Sequence, residues 1–392
     1  MNEVYILADA NIPRVEPAFG ELGTVHTKPG RAISSADVQE ADVLLVRSVT
    51  PVDSDLLGGT DLRFVGSATI GTDHVDREYL EARDIPFAHA PGSNADSVAD
   101  YVVVALLLLA RRQGTELQGR TVGIVGCGNI GRRLARRLQA LGMTVLRNDP
   151  PRARAAEAAG RTHTFLPLDA VLEEAEVVTL HVPLKTEGPD PTHHLADAAF
   201  LERMNEGAWM LNTSRGLVVD GEALRGARVH GPVAAAVLDV WEHEPIPDPT
   251  LVDAVDLATP HVAGYAYDGK VRGTAMLYEA LCEHLGGTAA WEGPAAIEPI
   301  SKDELHCSPP DPRLPDAEWL YQLARQGYDL QTDDAALRAV MDQAAEDRAE
   351  AFSGLRSDYR RRRKLQQHHV HRTAVPSAHR RAVEAGLTMQ LR

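Results

Sequence analysis

The sequence predicts an α/β protein centred on a doubly wound parallel sheet, and three observations carry that prediction. Short apolar runs that read as buried strands alternate with segments of helical periodicity. One of these strands passes straight into a helix through Gly126, Gly128 and Gly131, in G-x-G-x-x-G spacing. Polar residues with chemical potential fall just beyond the ends of successive strands, where open α/β sheets collect ligands.

Taken in order, residues 1–96 read as a small α/β unit with strands in YILAD, ADVLLVRS and RFVGSATIG. Arg47, Ser48 and Thr69 stand at strand ends and are candidates for holding a small anion, with ordinary loop polarity as the alternative. A helix follows from about Ala95 to near Arg111. Its apolar run, Val102 to Ala110, is far shorter than the ~20 residues that span a bilayer, so it reads as buried. Thr121 to Asp149 then forms a strand-turn-helix-strand unit: Val122, Ile124 and Val125 supply the strand, and Leu134, Leu138 and Leu141 the buried stripe of the helix. Gly126 allows the tight turn, Gly128 lets backbone approach a pyrophosphate, and Gly131 lets the helix pack on the strand, with Asn129 and Ile130 opening the helix toward the phosphates. Asp149 lies 21 residues past Gly128, where an acid accepts hydrogen bonds from an adenosine ribose. Its charge favours NAD over NADP by repelling a 2′-phosphate, against the opposing charges of Arg147, Arg152 and Arg154.

Further strands are expected in EVVTLHV, GAWMLN, AAAVLD and VDLAT, and a helix near Gly273 to His284 is expected to return to the first unit. A Gly-, Pro- and Ala-rich stretch beyond Gly286 and new helical periodicity at Trp319, Leu320 and Leu323 suggest a third domain.

The chain has 392 residues, 44% hydrophobic and 24% charged, which suits a globular protein of two or three domains. Its formal charge of −16 argues against nucleic acid and anionic membranes as partners. From Ala351 to Arg392, however, ten basic residues face two acids, a local +8 that reads either as a solvated basic end or as a contact for another chain or a phosphate. Cys127, Cys282 and Cys307 are too scattered for a disulfide framework or zinc site, which fits a reducing cytoplasm. His193 and His194 lack the helical spacing of a metal pair, and no metal is expected. The N-terminus shows no basic segment leading into an apolar core, so no secretory signal is expected.

Three residues beyond successive strands suit alcohol oxidation: Arg215 in NTSRG, Glu244 in DVWEHEP and His261 in TPHVAG. A histidine titrating near neutrality can take a hydroxyl proton as hydride leaves the carbon. A carboxylate on its second nitrogen fixes the tautomer, and a guanidinium fork can grip a substrate carboxylate. Asp239, also at a strand end, is a candidate for the nicotinamide end of the cofactor, with a loop cap as the alternative.

The motifs GCGNIG, HVPL, NTSRG, DVWEHEP and TPHVAG occur in the order found in the D-2-hydroxyacid dehydrogenase family, which this sequence resembles over nearly its whole length. VRSVT, GSATIGTDHVD, APGSNA, NDPPRAR, HVAGYAYDGK and an extension containing LRSDYRRRR are similar to a branch of that family acting on a small phosphorylated hydroxyacid. The resemblance implies a Rossmann-type NAD-binding domain (97–266) inserted in a flavodoxin-like substrate domain (1–96 and 267–288), and a C-terminal α+β domain (289–392) through which a homodimer forms. It further implies catalysis by Arg215, Glu244 and His261. Ser48, Thr69, Arg215 and Tyr265 are implicated with substrate, and Asn129, Ile130, Asp149, Thr213, Asp239 and Gly264 with NAD beside the glycine loop. A sister dehydrogenase of the 3-phosphoglycerate or glyoxylate type would use the same Arg, Glu and His, and an NAD-sensing corepressor on this fold is the reading from a different class.

Overall fold

A computed structural model describes residues 4–291, 293 and 305–392; most of the Gly-, Pro- and Ala-rich stretch after Gly286 lies outside them. The chain divides into two compact units, one formed by Met1–Asn94 with Tyr265–Pro299, the other by Ala95–Gly264 with Ile300–Arg392.

In the first unit β1 (Tyr5–Asp9), β2 (Thr24–Lys28), β3 (Val43–Val46), β4 (Phe64–Ser67) and β5 (Phe87–His89) form a parallel sheet in the order β2-β1-β3-β4-β5. The inner strands are apolar on both faces because both faces are covered. Leu7, Leu44, Val46 and Val65 pack with Ile33, Val38, Leu57 and Leu80, while Ile6, Val43, Leu45 and Phe64 meet Leu277, Tyr278 and Leu281 of the helix Tyr267–His284. The strand order reverses between β1 and β3, placing Asp9 and Arg47 at the switch point where such sheets bind ligands.

In the second unit β6 (Thr121–Val125), β7 (Thr144–Asn148), β8 (Val177–Leu180), β9 (Ala208–Asn212), β10 (Val233–Leu238) and β11 (Leu257–Ala258) make a parallel sheet ordered β11-β10-β9-β8-β6-β7. Phe165 adds an isolated parallel bridge to Arg147 beside β7. Here the reversal lies between β6 and β8, directly above the glycine loop.

The helix Ala95–Gln113 is buried continuously from Ala95 to Ala110 apart from one partly covered position, Asp96. A helix apolar all round needs cover all round. The helices Asn129–Ala140 and Asp316–Ala324 provide it, and Trp319, Tyr321 and Leu323 share one core with Tyr101, Val104, Leu108 and Leu134. The C-terminal segment, read from composition as a further domain, is thus packed into the second unit. Among the described residues, every buried apolar residue it contributes from Cys307 onward belongs to a core shared with residues 95–264. Part of its basic run is engaged within that unit: Arg360 pairs with Asp333, Lys364 stands 3.8 Å from Asp96, and the buried Arg362 lies 3.7 Å above the Tyr328 ring. Arg361, Arg372, Arg381 and Arg392 are exposed, as a solvated basic end would have them.

Candidate active site

The glycine loop has the geometry that a dinucleotide requires. Gly126 has φ +91°, a conformation open to glycine, and a Cβ there would meet the His181 carbonyl oxygen at 2.5 Å. A Cβ at Gly131 would meet the Gly126 carbonyl oxygen at 2.2 Å, so this glycine sets the helix-to-strand distance. At Gly128 nothing lies within 4 Å, which leaves the backbone open to a close ligand at the N-terminus of the helix Asn129–Ala140. His181, missed in the sequence, roofs the turn. Burial pushes its imidazole down to about 3, so it is neutral, hydrogen-bonded by Thr179 (3.0 Å) and Thr213 (3.3 Å).

Asp149 follows β7 and closes the other side of the loop. Its carboxylate accepts from the Cys127 N–H (2.8 Å) and the Arg152 N–H (3.1 Å), capping the helix Pro150–Ala158. A carboxylate has about four acceptor positions, so these two bonds leave capacity for a ribose. Asp149→Ala is expected to weaken NAD and narrow its advantage over NADP, with about 1 kcal/mol of stability lost through the missing cap. Calorimetric titration with both dinucleotides checks this; an unchanged NAD to NADP ratio would remove Asp149 from cofactor selection.

The catalytic candidates of the second unit stand at the carboxyl ends of three neighbouring strands. Arg215 follows β9 in a tight loop: Asn212 Nδ2 donates to the Arg215 carbonyl (2.8 Å), and Arg215 Nη1 donates to the Ser214 carbonyl (2.8 Å). Glu244 and His261 are directly joined. His261 Nδ1 lies 2.8 Å from Glu244 Oε2, and because an ionised carboxylate only accepts, Nδ1 carries the proton and Nε2 is the lone-pair nitrogen of the neutral ring. Glu244 Oε1 accepts from the Trp241 N–H (3.0 Å). Burial pushes the Glu244 carboxyl up, but the opposing charges of His261 and Arg356 and the hydrogen bonds from His261 and Trp241 outweigh it, leaving the group below its ordinary value.

His261 has φ +58°, in the left-handed region, a strained choice for a residue with a side chain. Asp239 enforces it. Its two oxygens accept from Thr259 Oγ1 (2.6 Å), Val262 N (2.8 Å) and Ala263 N (3.0 Å), tying down the loop on either side of the histidine. Burial pushes this carboxyl up to about 6 despite the nearby His261 charge. At 1% exposure Asp239 tethers the loop from within.

In the first unit Ser48 is exposed beyond β3, and Thr69 is half-buried with its hydroxyl 2.7 Å from Ser67 Oγ, which also meets His74 Nε2 at 2.9 Å. Arg47 Nε donates to the fully buried Asp9 (3.2 Å), so an anchored guanidinium stands at this sheet's switch point. Tyr265 is half-buried, and Lys270 Nζ lies 4.2 Å from the centre of its ring. Asp9 and Arg356 have no site role legible in the sequence, because only folding brings them beside Arg47 and Glu244, whereas Lys270 lies five residues past Tyr265 within HVAGYAYDGK and is open to a local reading.

A glycine-loop unit with Arg, Glu and His at successive strand ends defines an NAD-dependent hydroxyacid dehydrogenase, and comparison with known proteins agrees. Residues 107–263 match the family described as D-isomer specific 2-hydroxyacid dehydrogenase, NAD binding domain, and residues 312–385 match a domain of unknown function (DUF3410). The chain is 69% identical over 391 residues to erythronate-4-phosphate dehydrogenase of Salinibacter ruber, covering 100% of both, and 46% identical over 360 residues to that of Azotobacter vinelandii, covering 92% of this chain and 93% of the relative. It belongs to the erythronate-4-phosphate dehydrogenase family and is an NAD-binding oxidoreductase. Among solved structures, a protein from Thermus thermophilus is 29% identical with TM-score 0.61 over 73% of this chain and 98% of that one. D-Lactate dehydrogenase from Aquifex aeolicus, solved with NAD and lactic acid, is 24% identical with TM-score 0.60 over 76% of this chain and 100% of that one, a likeness of fold.

Proposed function

We propose that this chain oxidises 4-phospho-D-erythronate to 2-oxo-3-hydroxy-4-phosphobutanoate with NAD, an early step of pyridoxal 5′-phosphate synthesis. The observation that carries the reading is the Glu244–His261 pair, 2.8 Å apart, at the strand ends of a unit whose glycine loop fits a dinucleotide. NAD, when bound, accepts the hydride from C2. His261 Nε2 takes the proton of the C2 hydroxyl, so that a carbonyl forms there as the C–H and O–H bonds break. Glu244 stabilises the resulting imidazolium, and Arg215 holds the substrate carboxylate beside the reacting carbon. Ser48, Thr69 and Tyr265 contact the substrate; Asn129, Ile130, Asp149, Thr213, Asp239 and Gly264 contact NAD in this reading.

The same reading makes the second unit's sheet a Rossmann-type domain (97–266) inserted in a flavodoxin-like domain (1–96 and 267–288), and supports a cytoplasmic homodimer through residues 289–392. The strand orders favour the first part: the β2-β1-β3-β4-β5 order is that of flavodoxin-like sheets, and the Phe165 bridge beside β7 extends the other toward the dinucleotide-binding order.

Arg47 is the proposed anchor for the phosphate, its Nε held by Asp9. Arg47→Gln is expected to raise KM for 4-phospho-D-erythronate roughly tenfold to a hundredfold, the value of a charge-assisted hydrogen bond, with little effect on unphosphorylated D-erythronate. Equal losses on both substrates would assign the phosphate elsewhere. The reading as a whole is tested by absorbance of the reduced nicotinamide after mixing protein, NAD and 4-phospho-D-erythronate, with a 2-oxo acid in parallel and 3-phosphoglycerate as rival. Turnover with 3-phosphoglycerate alone would move the assignment to a sister enzyme, and NAD binding without turnover of any hydroxyacid would favour a sensor.

A further inference from the structure

We infer that Arg356, on the C-terminal helix Arg348–Ser357, is a positioning residue of the active site: it completes the Glu244–His261 pair by holding the Glu244 carboxylate ionised and in place. This rests on the dehydrogenase reading. Arg356 Nη1 stands 3.9 Å from Glu244 Oε2, the same oxygen that receives His261 Nδ1, and its side chain is only 17% exposed, against 21% for Glu244. A charge pair so placed is weakly screened.

The surrounding contacts give the arginine a fixed mount. Phe352, one turn earlier on its helix, is fully buried in the core shared with Leu238, Trp241 and Val252. The preceding helix, Leu330–Met341, is bonded to the same sheet edge: Asp334 accepts from the Ala258 N–H at the end of β11 (2.8 Å), and Arg338 donates to the carbonyls of Val252 and Val255 (2.9 Å each). Arg362 donates to the Ala263 carbonyl (3.2 Å) just beyond His261. The segment therefore grips β11, the histidine loop and the carboxylate together.

The charged groups facing Glu244 are His261, from the loop after β11, and Arg356, from the C-terminal helix; the Trp241 amide adds a neutral hydrogen bond. Arg356 is a permanent cation and His261 becomes one when it takes a proton, and both favour the ionised carboxylate. Without Arg356 the carboxyl protonates at higher pH, and a neutral Glu244 no longer offers a negative charge to the imidazolium. Loss of one such charge at this distance moves a carboxyl by roughly one pH unit.

The test compares wild type with Arg356→Gln, Arg356→Met and Arg356→Lys. Two readouts are used: the acid limb of the kcat/KM profile for 4-phospho-D-erythronate, and the pH at which the Glu244 carboxyl infrared band titrates in ¹³C-glutamate-labelled, cofactor-free protein. That band is identified as the one lost in Glu244→Gln. The expected result is that both move upward by roughly one unit in Arg356→Gln or Arg356→Met, whichever folds, and return in Arg356→Lys with Tm and NAD affinity near wild type. An infrared titration unmoved in the neutral variants, or activity lost in all three with a lowered Tm and an unmoved acid limb, overturns the inference and leaves Arg356 a structural residue. The infrared readout needs no turnover, so it separates failure of this inference from failure of the dehydrogenase reading, which is judged on wild type alone.

Discussion

Replacing His261 with asparagine lowers kcat for hydroxyacid oxidation by roughly 10²- to 10⁴-fold, the range supplied by a positioned general base, while NAD binding stays close to wild type. Asparagine is the informative choice because the backbone at His261 has φ +58°, which Asn tolerates far better than Ala, so the Asp239 tether to Val262 and Ala263 survives. The change then removes the proton acceptor and little else. Stopped-flow measurement of hydride transfer, with NAD binding followed by calorimetry, reads the two properties separately. If the single-turnover rate stays within a few-fold of wild type, the proton goes to another group and the histidine is an orienting residue.

How much of this arrangement the sequence discloses depends on how local its causes are. The glycine loop is legible because strand, turn and helix occupy consecutive residues from Thr121 to Ala140, and each glycine answers a contact made within that unit. Arg215 and His261 are legible for a related reason: each follows its strand by three residues, beyond Asn212 and Ala258 respectively. The strands β2 and β5 are not legible. They lie at the sheet's edges, where TVHTK and FAH are incompletely buried and show no apolar run. Arg356 is hidden more deeply, since it reaches Glu244 from over a hundred residues away in a segment whose basic composition suggests a free surface. The shared core between that segment and residues 95–264 is not legible either, for one physical reason. The Tyr101–Ala110 part of the helix Ala95–Gln113 is apolar on every side, and nothing in its own residues says that Trp319 and Leu323, over two hundred positions later, cover one of them.

The second large effect is expected where the loops of Arg215 and Glu244 touch. A Cβ on Gly216 would stand 1.9 Å from the Trp241 carbonyl oxygen and 2.5 Å from the Glu242 N, and both are backbone atoms that cannot swing aside. Gly216→Ala must therefore part the two loops, and a displacement of about 1 Å at reacting groups costs on the order of a hundredfold in rate. Overpacking adds roughly 1–3 kcal/mol of lost stability. Gly226→Ala is the matched control: it lies in the exposed face of the helix Gly221–His230 with nothing within 4 Å of the added carbon, and there alanine should be neutral or stabilising by up to about 1 kcal/mol. Measuring kcat/KM and Tm for both variants isolates geometry from the general effect of exchanging glycine. Wild-type rates in Gly216→Ala would mean that the loops slide without moving Arg215 or Glu244, and their close contact would then be packing alone. A rate loss confined to Gly216→Ala, with NAD affinity retained, would make the spacing of these two loops part of the catalytic apparatus, because it sets the distance between Arg215 and the Glu244–His261 pair.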